Sequence, residues 1–314
     1  MRQGFRSTNE GEHRAVLARE VLDLFDPKPG QVAVDCTVGW GGHAAELLPK
    51  LGPDGFLFGL DLDAENLAKA QARLEAIGGP FALHHGNFAG ATQVVQGAGR
   101  PGVDMLLADL GFSSMQVDDP SRGFSYRRDG PLDMRLDRSR GKTVAQLLQT
   151  IPQKELADAL RDFADEPNAG KIARAIVQTR ATRPIETTHQ LAQFLMEIVG
   201  ETEWKLQPKP GVWKIHPAAR SFQALRILVN RELANLEHLL RILPTLLNPG
   251  GVAAIISFHS GEDRLVKASF REGKHLGHYA AISEDPVRAG FDERGENPRS
   301  RSAKLRWART PPKS

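Results

Sequence analysis

Three aspartates in the amino-terminal part of the chain each follow a short apolar run: Asp35 follows VAV, Asp61 follows FLFGL and Asp109 follows MLLA. Such runs are typical of strands that are buried on both faces of a parallel sheet. The carboxyl ends of parallel strands meet at one edge of the sheet, where ligands bind. We therefore expect these carboxylates to surround one ligand, where they can attract a cation, accept hydrogen bonds or accept a proton.

A glycine-rich turn, VDCTVGWGGH, follows the first of these runs at residues 34–43. Gly39, Gly41 and Ala44 fit the loose pattern G-x-G-x-x-G/A, and Asp61 lies about 20 residues further on, where an acid binds a ribose. Enzymes that use NAD and enzymes that use S-adenosylmethionine (AdoMet) share this pattern. It predicts a nucleotide-containing cofactor without deciding which one.

Asp35 distinguishes the two cofactors by charge. NAD brings a pyrophosphate to this turn, and a carboxylate beside it would repel that group. AdoMet has no phosphate and carries two cationic groups, an α-ammonium and a sulfonium, which a nearby carboxylate attracts. Asp35 therefore favours AdoMet, although a role as a helix N-cap would carry no such information. An NAD-dependent oxidoreductase is the alternative that the glycine pattern leaves open.

The segment ADLGFSSMQ, residues 108–116, leaves the sheet beside the predicted cofactor crevice. Enzymes that methylate exocyclic amines often carry a D-P-P-Y/F motif there, and Asp109 and Phe112 occupy its first and fourth positions. A nucleobase amine is a poor nucleophile because its lone pair is delocalised into the ring, and an acceptor that binds the amino protons localises that pair. We expect Asp109 to act in this way and Phe112 to stack on the base, unless Asp109 only binds cofactor and Phe112 only packs.

The order of the elements predicts how these residues are supported. Strand and helix patterns alternate at first, which predicts a doubly wound α/β sheet. Only loops and helical patterns follow, until the strand pattern VAAIISF at residues 252–258 resumes the sheet. We therefore expect a cofactor-binding domain of residues 1–114 and 216–314, interrupted by an inserted helical domain of residues 115–215.

Local patterns lead to three finer expectations. Apolar residues from Phe222 to Leu243 recur at helical spacing and predict one long helix. Thr187 and Gln190 have the spacing of a capping box, which predicts the start of a helix. The segment SAKLRWAR near the carboxyl terminus predicts a final edge strand.

Composition excludes several classes of protein. The chain has 314 residues, a net charge of +3 and one cysteine, Cys36, so an intrachain disulfide is excluded. Cys36 is interpreted as a small buried residue, because methylation of an amine needs no thiol nucleophile. No apolar run approaches the ~20 residues that span a bilayer, and the amino terminus lacks the apolar stretch of a signal peptide. We expect a cytoplasmic protein with no membrane contact.

Basic residues are concentrated in two segments, residues 121–142 and 297–314, and the second has six basic residues and no acid. Guanidinium groups bind phosphates and aromatic rings stack on unpaired bases, so both segments predict contact with RNA, although solvated surfaces have the same composition. A non-enzymatic RNA-binding protein is therefore a second alternative. The candidate contacts are Arg122, Phe124, Tyr126, Arg127, Arg128, Arg299, Arg301, Lys304 and Arg306.

The segment SFHSGED, residues 257–263, follows the last predicted parallel strand at the same sheet edge. We expect Ser257, His259 and Ser260 to contact the substrate base or its phosphate, with His259 as a catalytic candidate. Neither serine lies in a G-x-S-x-G motif, which argues against a serine hydrolase. His259 and Asp263 could share a metal ion, but the sequence offers no third ligand, so no metal site is expected.

Six long motifs together resemble a known family. They are DCTVGWGGH, DLGFSSMQVDDPSRGFSYRRDGPLDMRLD, KIARAIV, HPAARSFQALRILVNREL, ISFHSGEDRLVK and NPRSRSAKLR, in that order. The chain resembles the bacterial ribosomal RNA small subunit methyltransferase H family, also called MraW. The resemblance implies AdoMet-dependent N4-methylation of one cytidine of 16S rRNA, in the decoding centre of the small ribosomal subunit, and no role for DNA. It also implies a class I AdoMet-dependent methyltransferase fold, a Rossmann-like doubly wound sheet with an inserted helical domain.

The same resemblance implies a set of site residues by position. Phe88 and Gln116 enter only in this way, and Phe88 is expected to pack on the adenine. The family commonly has a small aliphatic residue where Phe112 stands, so the stacking expected of Phe112 is not a family property. The charge argument adds Asp35 to the cofactor contacts, and the catalytic candidates are Asp109 and His259. The cofactor contacts that the resemblance implies are Gly41, Gly42, His43, Asp61, Phe88, Asp109 and Gln116.

Overall fold

The computed structural model describes residues 15–200 and 216–313. The chain forms two compact units: a sheet unit of Met1–Gly111 with Ala234–Ser314, and a helical unit of Phe112–Leu233. The expected boundary at residue 215 lies outside the described residues, and the division instead falls after Leu233. No helix in the described ranges has the length and apolar character that crossing a bilayer requires.

Seven strands of the described residues form one sheet in the order β3-β2-β1-β4-β5-β7-β6. Neighbours among the first five strands pair in parallel, and β7 is antiparallel to both of its neighbours. This arrangement confirms the predicted doubly wound α/β sheet of the class I methyltransferase fold. The strands are β1 Val32–Asp35, β2 Phe56–Asp61, β3 Phe81–His85, β4 Val103–Asp109, β5 Leu247–Ser257, β6 Ala281–Ile282 and β7 Lys304–Arg309.

The prediction that SAKLRWAR forms the edge strand is wrong. Its strand β7 lies between β5 and the two-residue strand β6, because Ala281 and Ile282 pair with Arg309 and Ala308 on its outer side. A strand of two residues is too short to give a clear pattern in the sequence.

Helices cover both faces of the sheet, and side chains alternate between the faces along each strand. Ala33 and Leu57 face one core, together with the helices α1 (Ala18–Phe25), α2 (Gly42–Leu51) and α3 (Ala64–Ile77). Val34 and Phe58 face the other core, together with the helices α4 (Ala91–Gly97), α11 (Glu232–Leu246) and α12 (Ser260–His275). The first two residues of α11, Glu232 and Leu233, belong to the helical unit. The sheet unit also contains α13 Phe291–Glu296 and short 3-10 helices at Phe88–Gly90 and Pro298–Arg301.

The helical unit has an apolar core of its own, to which Leu160, Ile172, Leu191 and Phe222 belong. The predicted capping box is confirmed, because the Thr187 hydroxyl accepts a hydrogen bond from the Gln190 N–H and the Gln190 side chain accepts one from the Thr187 N–H. The helices are α5 Ser114–Asp118, α6 Val144–Thr150, α7 Gln153–Ala164, α8 Ala169–Thr179, α9 Thr188–Val199 and α10 Ala219–Asn230, with a 3-10 helix at Pro120–Arg122.

The single long helix expected from Phe222 to Leu243 is two helices. Arg231 adopts a left-handed backbone conformation with φ 53°, which ends α10, and α11 starts at the next residue. Phe222 lies in the core of the helical unit, whereas Leu243 lies in a core of the sheet unit. The apolar spacing continues across the break, so the sequence pattern does not reveal it.

Candidate functional site

The three aspartates lie at the carboxyl ends of three neighbouring strands, in the order Asp61, Asp35, Asp109 across β2, β1 and β4. Asp35 pairs in register with Gly59 and Leu107, so Asp61 and Asp109 each lie two residues beyond the partners of Asp35. The two outer carboxylates therefore flank the start of the glycine turn. This arrangement is the one expected from the sequence.

The glycine turn is bound directly to one of these carboxylates. The Gly39 N–H donates to Asp61 Oδ2 at 2.8 Å, and the Gly41 N–H donates to the Val38 carbonyl at 2.7 Å. Gly39 and Gly41 have φ values of 53° and 77°, a left-handed conformation that side chains disfavour. Gly42 is closely packed instead, because a Cβ there would lie 3.2 Å from the Ala15 Cβ, a tight contact.

Asp109 has a buried oxygen that could accept a further hydrogen bond. Its backbone N–H donates to Thr37 Oγ1 at 2.7 Å, and its Oδ2 lies 3.8 Å from His43 Nε2. Its Oδ1 is buried, and no donor among the described residues hydrogen-bonds to it. A buried acceptor without a donor costs free energy, so this oxygen marks a place for a ligand that carries N–H groups.

Burial is also the main cause of the altered pKa of Asp109. Loss of solvation raises the pKa of this carboxyl to about 7; the positive charge of Arg299 lowers it, and the negative charge of Glu262 raises it. Burial likewise lowers the pKa of the Arg299 guanidinium. A carboxyl with a pKa near 7 can both accept and release a proton at neutral pH.

The other two carboxyls are affected in the same direction. Burial raises the pKa of Asp35 to about 7, against the hydrogen bond from the Thr37 N–H, and the charges of Asp109 and Asp61 raise it further. Burial raises the pKa of Asp61 as well, although the N–H groups of Asp63 and Gly39 lower it. The cluster of Asp35, Asp61 and Asp109, called here the carboxylate cluster, thus gathers negative charge in a poorly solvated place. A cationic ligand would stabilise this negative charge, and a pyrophosphate would repel it.

His259 has a structural contact that the sequence analysis missed. It is the N-cap residue of α12, where its Nδ1 accepts the Glu262 N–H at 3.4 Å and its Nε2 lies 3.2 Å from Glu262 Oε1. Ser257 is buried, with its hydroxyl 3.4 Å from the Lys304 carbonyl, whereas Ser260 is exposed. Of the three residues expected to contact substrate, Ser257 therefore already has a hydrogen-bond partner in the neighbouring strand.

Asp263, which has the spacing to share a metal ion with His259, forms ion pairs with two cations of the sheet unit. Its carboxylate binds Lys304 Nζ at 2.9 Å and Arg306 Nε at 2.7 Å. Within residues 15–200 and 216–313, no group of three or more His, Cys, Asp and Glu side chains is arranged to hold a metal ion.

Several residues of the basic segments are used by the fold. Arg122 is buried and donates to the Leu136 carbonyl at 3.1 Å. Arg306 is also buried and forms an ion pair with Asp263. These two are not available to bind phosphate, contrary to expectation. Arg127 and Arg128 are exposed, and Arg128 pairs with Asp118.

The expected aromatic contacts are also partly used. Within the helical unit, the Phe112 ring stacks on Phe124 at 5.6 Å between ring centres and lies 4.4 Å from the Arg226 guanidinium. Tyr126 stacks on His216 at 4.3 Å. Phe112 therefore packs against side chains of its own unit, which was the alternative to stacking on the base.

Phe88 and Gln116, the two cofactor contacts implied only by the resemblance, belong to different units. Phe88 follows β3 in the sheet unit and is partly buried against the core of that unit. Gln116 belongs to the helical unit, where it is buried and forms a capping box with Ser113 at the start of α5.

Cys36 is a free, buried thiol. Burial raises its pKa well above the ordinary value, and the charge of Asp35 adds to that effect. A thiol in this state is a poor nucleophile. The interpretation of Cys36 as a small buried residue is confirmed.

Three polar residues that position the site were not predicted from the sequence. Thr37 accepts the Asp109 N–H, and buried Asn66 donates to Asp61 at 3.4 Å while accepting the Trp40 indole N–H at 3.1 Å. Glu262 is buried, and its Oε2 accepts the Phe258 N–H at 2.9 Å. Only Glu262 had a signal, because it stands three residues after His259 at the spacing of a capping box.

Known proteins resemble this chain over nearly its whole length. The model of the MraW methylase family matches residues 10–311. The ribosomal RNA small subunit methyltransferase H of Citrifermentans bemidjiense is 42% identical over 309 residues, which cover 94% of this chain and 97% of the relative. Proteins of the same name from Sorangium cellulosum and Trichlorobacter lovleyi are each 44% identical, over 95% of this chain and over 90% and 98% of their own lengths. The chain therefore belongs to the MraW methylase family.

Proposed function

We propose that this protein transfers a methyl group from AdoMet to the exocyclic N4 amine of one cytidine of 16S rRNA, in the decoding centre of the small ribosomal subunit. Its membership of a methylase family supports the reaction type. The name that its relatives share, ribosomal RNA small subunit methyltransferase H, supports the substrate. Such a substrate is met in the cytoplasm, where we expect the protein to act.

The carboxylate cluster is the observation that carries the choice of cofactor. Burial raises the pKa of all three carboxyls, the charges of Asp109 and Asp61 raise that of Asp35 further, and AdoMet offers the cluster two positive charges and no phosphate. When bound, AdoMet supplies an electrophilic methyl group on a sulfonium. In this proposal Asp35 attracts its α-ammonium and Asp61 accepts from its ribose hydroxyls, since a carboxylate has about four acceptor sites. The remaining contacts are proposed for Gly41, Gly42, His43, Phe88 and Gln116.

Asp109 is the proposed catalytic residue. Its buried Oδ1 would accept a hydrogen bond from the cytosine amino group and so localise the nitrogen lone pair. Its pKa of about 7 would let the ionised form accept the proton that the amine loses after transfer. His259 is a second candidate, because β5 pairs with β4 in the register Asp109↔Ile256 and His259 stands three residues further along the chain. We propose that His259 contacts the cytosine.

RNA binding is assigned to two regions in the same proposal. The helical unit would contact the strand that carries the target, with Arg127 and Arg128 as its exposed cations. The sheet unit would contribute Arg301, which is exposed, whereas Arg299 is partly buried and its charge acts on Asp109. A protein that only binds RNA would need the same cations, so binding alone does not test the enzymatic proposal.

A methyl-transfer assay tests the proposal. Purified protein is incubated with small ribosomal subunits and methyl-labelled AdoMet, and the nucleosides of the 16S rRNA are identified by mass spectrometry. We expect N4-methylcytidine from the wild type and a loss of at least about 100-fold in rate for Asp109→Asn. Asp54→Asn, which changes an exposed aspartate of the sheet unit, is the matched control and should keep full activity.

The assay also decides between the alternatives. Methyl groups on another atom would refute the N4 assignment, and an active Asp109→Asn variant would refute the role of Asp109. An absence of transfer together with intact RNA binding would favour the RNA-binding alternative. The oxidoreductase alternative requires NADH binding, which a direct titration measures.

A further inference from the structure

One large apolar side chain of the sheet unit is almost entirely in water. Phe291, the first residue of α13, is 86% exposed, against 59% for Leu276 and 40% for Ile77, the other exposed large hydrophobic residues in the described part of the chain. An exposed side chain of this size forgoes the free energy that burial of its apolar surface would provide. Phenylalanine is also only a moderate helix former, so neither the core nor α13 requires it at this position.

The exposed ring stands on a short helix that two hydrogen bonds anchor to its neighbours. The Leu17 N–H donates to Glu293 Oε1 at 2.9 Å, which ties α13 to the start of α1. The Arg301 guanidinium donates from Nε to the Arg294 carbonyl at 2.9 Å, which ties α13 to the 3-10 helix that follows. A ring on a fixed support loses little conformational entropy when a planar ligand stacks on it.

Three arginines surround this position in the chain without forming ion pairs. Arg288, Arg294 and Arg301 are exposed, and none of them has a carboxylate within 4.0 Å among the described residues. Asp292 and Glu296 are exposed acids of the same helix, so the surface is not purely basic. Arg294 lies three residues after Phe291, which places both on one side of α13.

The same segment leads to the carboxylate cluster within the sheet unit. Arg299 belongs to the 3-10 helix Pro298–Arg301, its guanidinium lies 5.6 Å from the centre of the Phe258 ring, and its charge acts on Asp109. The exposed ring and the proposed reaction site are therefore joined by one short, anchored stretch of chain. Along the chain, Phe291 stands eight residues before Arg299.

We propose that Phe291 is a stacking platform for an unpaired base of the RNA substrate, and that Arg288 and Arg294 bind phosphates of the same strand. An aromatic ring accepts any base on its face, and guanidinium groups bind phosphate oxygens, which is how single-stranded RNA is held without base pairing. This surface rests on the proposed function, because it presumes an RNA substrate. It adds Phe291, Arg288 and Arg294 to the RNA contacts already proposed for the helical unit and for Arg301.

Fluorescence anisotropy with a labelled single-stranded RNA from the decoding region of 16S rRNA tests the platform. We expect Phe291→Ala to weaken RNA binding about 10-fold and Phe291→Tyr to bind like the wild type, because tyrosine keeps the stacking face. Leu276→Ala removes an exposed apolar side chain that follows α12, a helix of the opposite face of the sheet, and should have no effect. AdoMet affinity should be unchanged in all three variants.

Salt dependence tests the arginines. Arg288→Gln and Arg294→Gln should each lower the slope of log affinity against log salt by about 0.7, the value for one phosphate contact on a single strand. Arg241→Gln, on α11 of the opposite face, should leave the slope unchanged.

Wild-type RNA affinity in Phe291→Ala would overturn the platform, and so would an equal loss in Phe291→Ala and Phe291→Tyr. A loss seen with intact subunits but not with naked RNA would also overturn it, because the partner would then be a protein. The two proposals fail separately. If the wild type methylates rRNA and Phe291→Ala keeps its KM for RNA, only the platform fails. If Phe291→Ala weakens RNA binding but the wild type transfers no methyl group, only the proposed function fails.

Discussion

The helical unit and the sheet unit bury charged side chains in different ways. In the helical unit, buried Arg226 forms a two-pronged ion pair with Glu232 at 2.9 Å for both contacts, and buried Asp133 does the same with Arg135 at 2.6 and 3.0 Å. In the sheet unit, Asp35 is 1% exposed and receives a hydrogen bond from a backbone N–H and no ion pair from the described residues.

This difference distinguishes charged groups that stabilise the fold from charged groups that are suited to bind a ligand. A buried ion pair with satisfied hydrogen bonds needs nothing further, whereas buried like charges raise one another's pKa values and gain from a cation. Clusters of titratable groups with shifted pKa values are therefore candidates for functional sites, and balanced pairs are not. The sheet unit contains both kinds, since Asp263 is balanced by Lys304 and Arg306.

The largest effect is expected from breaking a balanced pair. Arg226→Met would remove a buried cation from its pair with the partly buried Glu232 and would remove the guanidinium above the Phe112 ring. We expect the free energy of unfolding to fall by about 3–5 kcal/mol, measured by urea titration at pH 7. The double variant Arg226→Met with Glu232→Leu should recover most of that loss. A single variant within about 1 kcal/mol of the wild type would show that the pair is not structural.

A smaller effect, of opposite sign at neutral pH, is expected in the carboxylate cluster. The pKa of Asp35 is about 7 in the folded protein and 3.8 as its ordinary value. Between pH 4 and pH 7 the folded state therefore holds a proton that the unfolded state has released, so this group lowers the free energy of unfolding as the pH rises. Asp35→Asn should remove this loss, which amounts to about 4 kcal/mol at most.

Urea titrations of the protein without cofactor at pH 4 and pH 8 measure this effect. The stability difference between Asp35→Asn and the wild type should move in favour of the variant from pH 4 to pH 8. The exposed control Asp54→Asn should show no such change. A stability difference that is the same at both pH values would mean that the pKa of Asp35 is not raised in the folded protein.

The smallest effect concerns an uncharged group in the sheet unit. Tyr279 is buried, its hydroxyl has no hydrogen-bond partner among the described residues, and burial raises its pKa. Tyr279→Phe removes that hydroxyl and keeps the ring against Phe270. We expect stability to stay the same or to rise by about 1 kcal/mol, measured by thermal unfolding. A loss of more than about 1 kcal/mol would indicate a partner for the hydroxyl.

The sequence was sufficient to predict the parts of the site that depend on local pattern. Apolar runs that end in Asp35, Asp61 and Asp109 identify parallel strands, and parallel strands necessarily bring their carboxyl ends to one edge. The left-handed turn was predictable in the same way, because glycine tolerates that conformation at Gly39 and Gly41.

The parts that depend on distant partners were not predictable. Arg122 and Arg306 have the sequence context of phosphate-binding arginines, but their partners are the Leu136 carbonyl and Asp263, which only the fold brings close. The break at Arg231 gives no signal, because apolar spacing continues through it although its two sides pack in different cores. Burial and pairing of a charge are properties of tertiary structure.

Binding of AdoMet as a function of pH tests most directly whether the carboxylate cluster serves a cationic ligand. Calorimetric titration between pH 5.5 and pH 7 should show an affinity that rises about tenfold as carboxyls with pKa values near 7 ionise, while the ammonium of the ligand stays protonated. The neutral analogue 5′-methylthioadenosine, which lacks both positive charges, should bind with little pH dependence. An AdoMet affinity that is flat or falls over this range, or NADH that displaces AdoMet, would contradict the account.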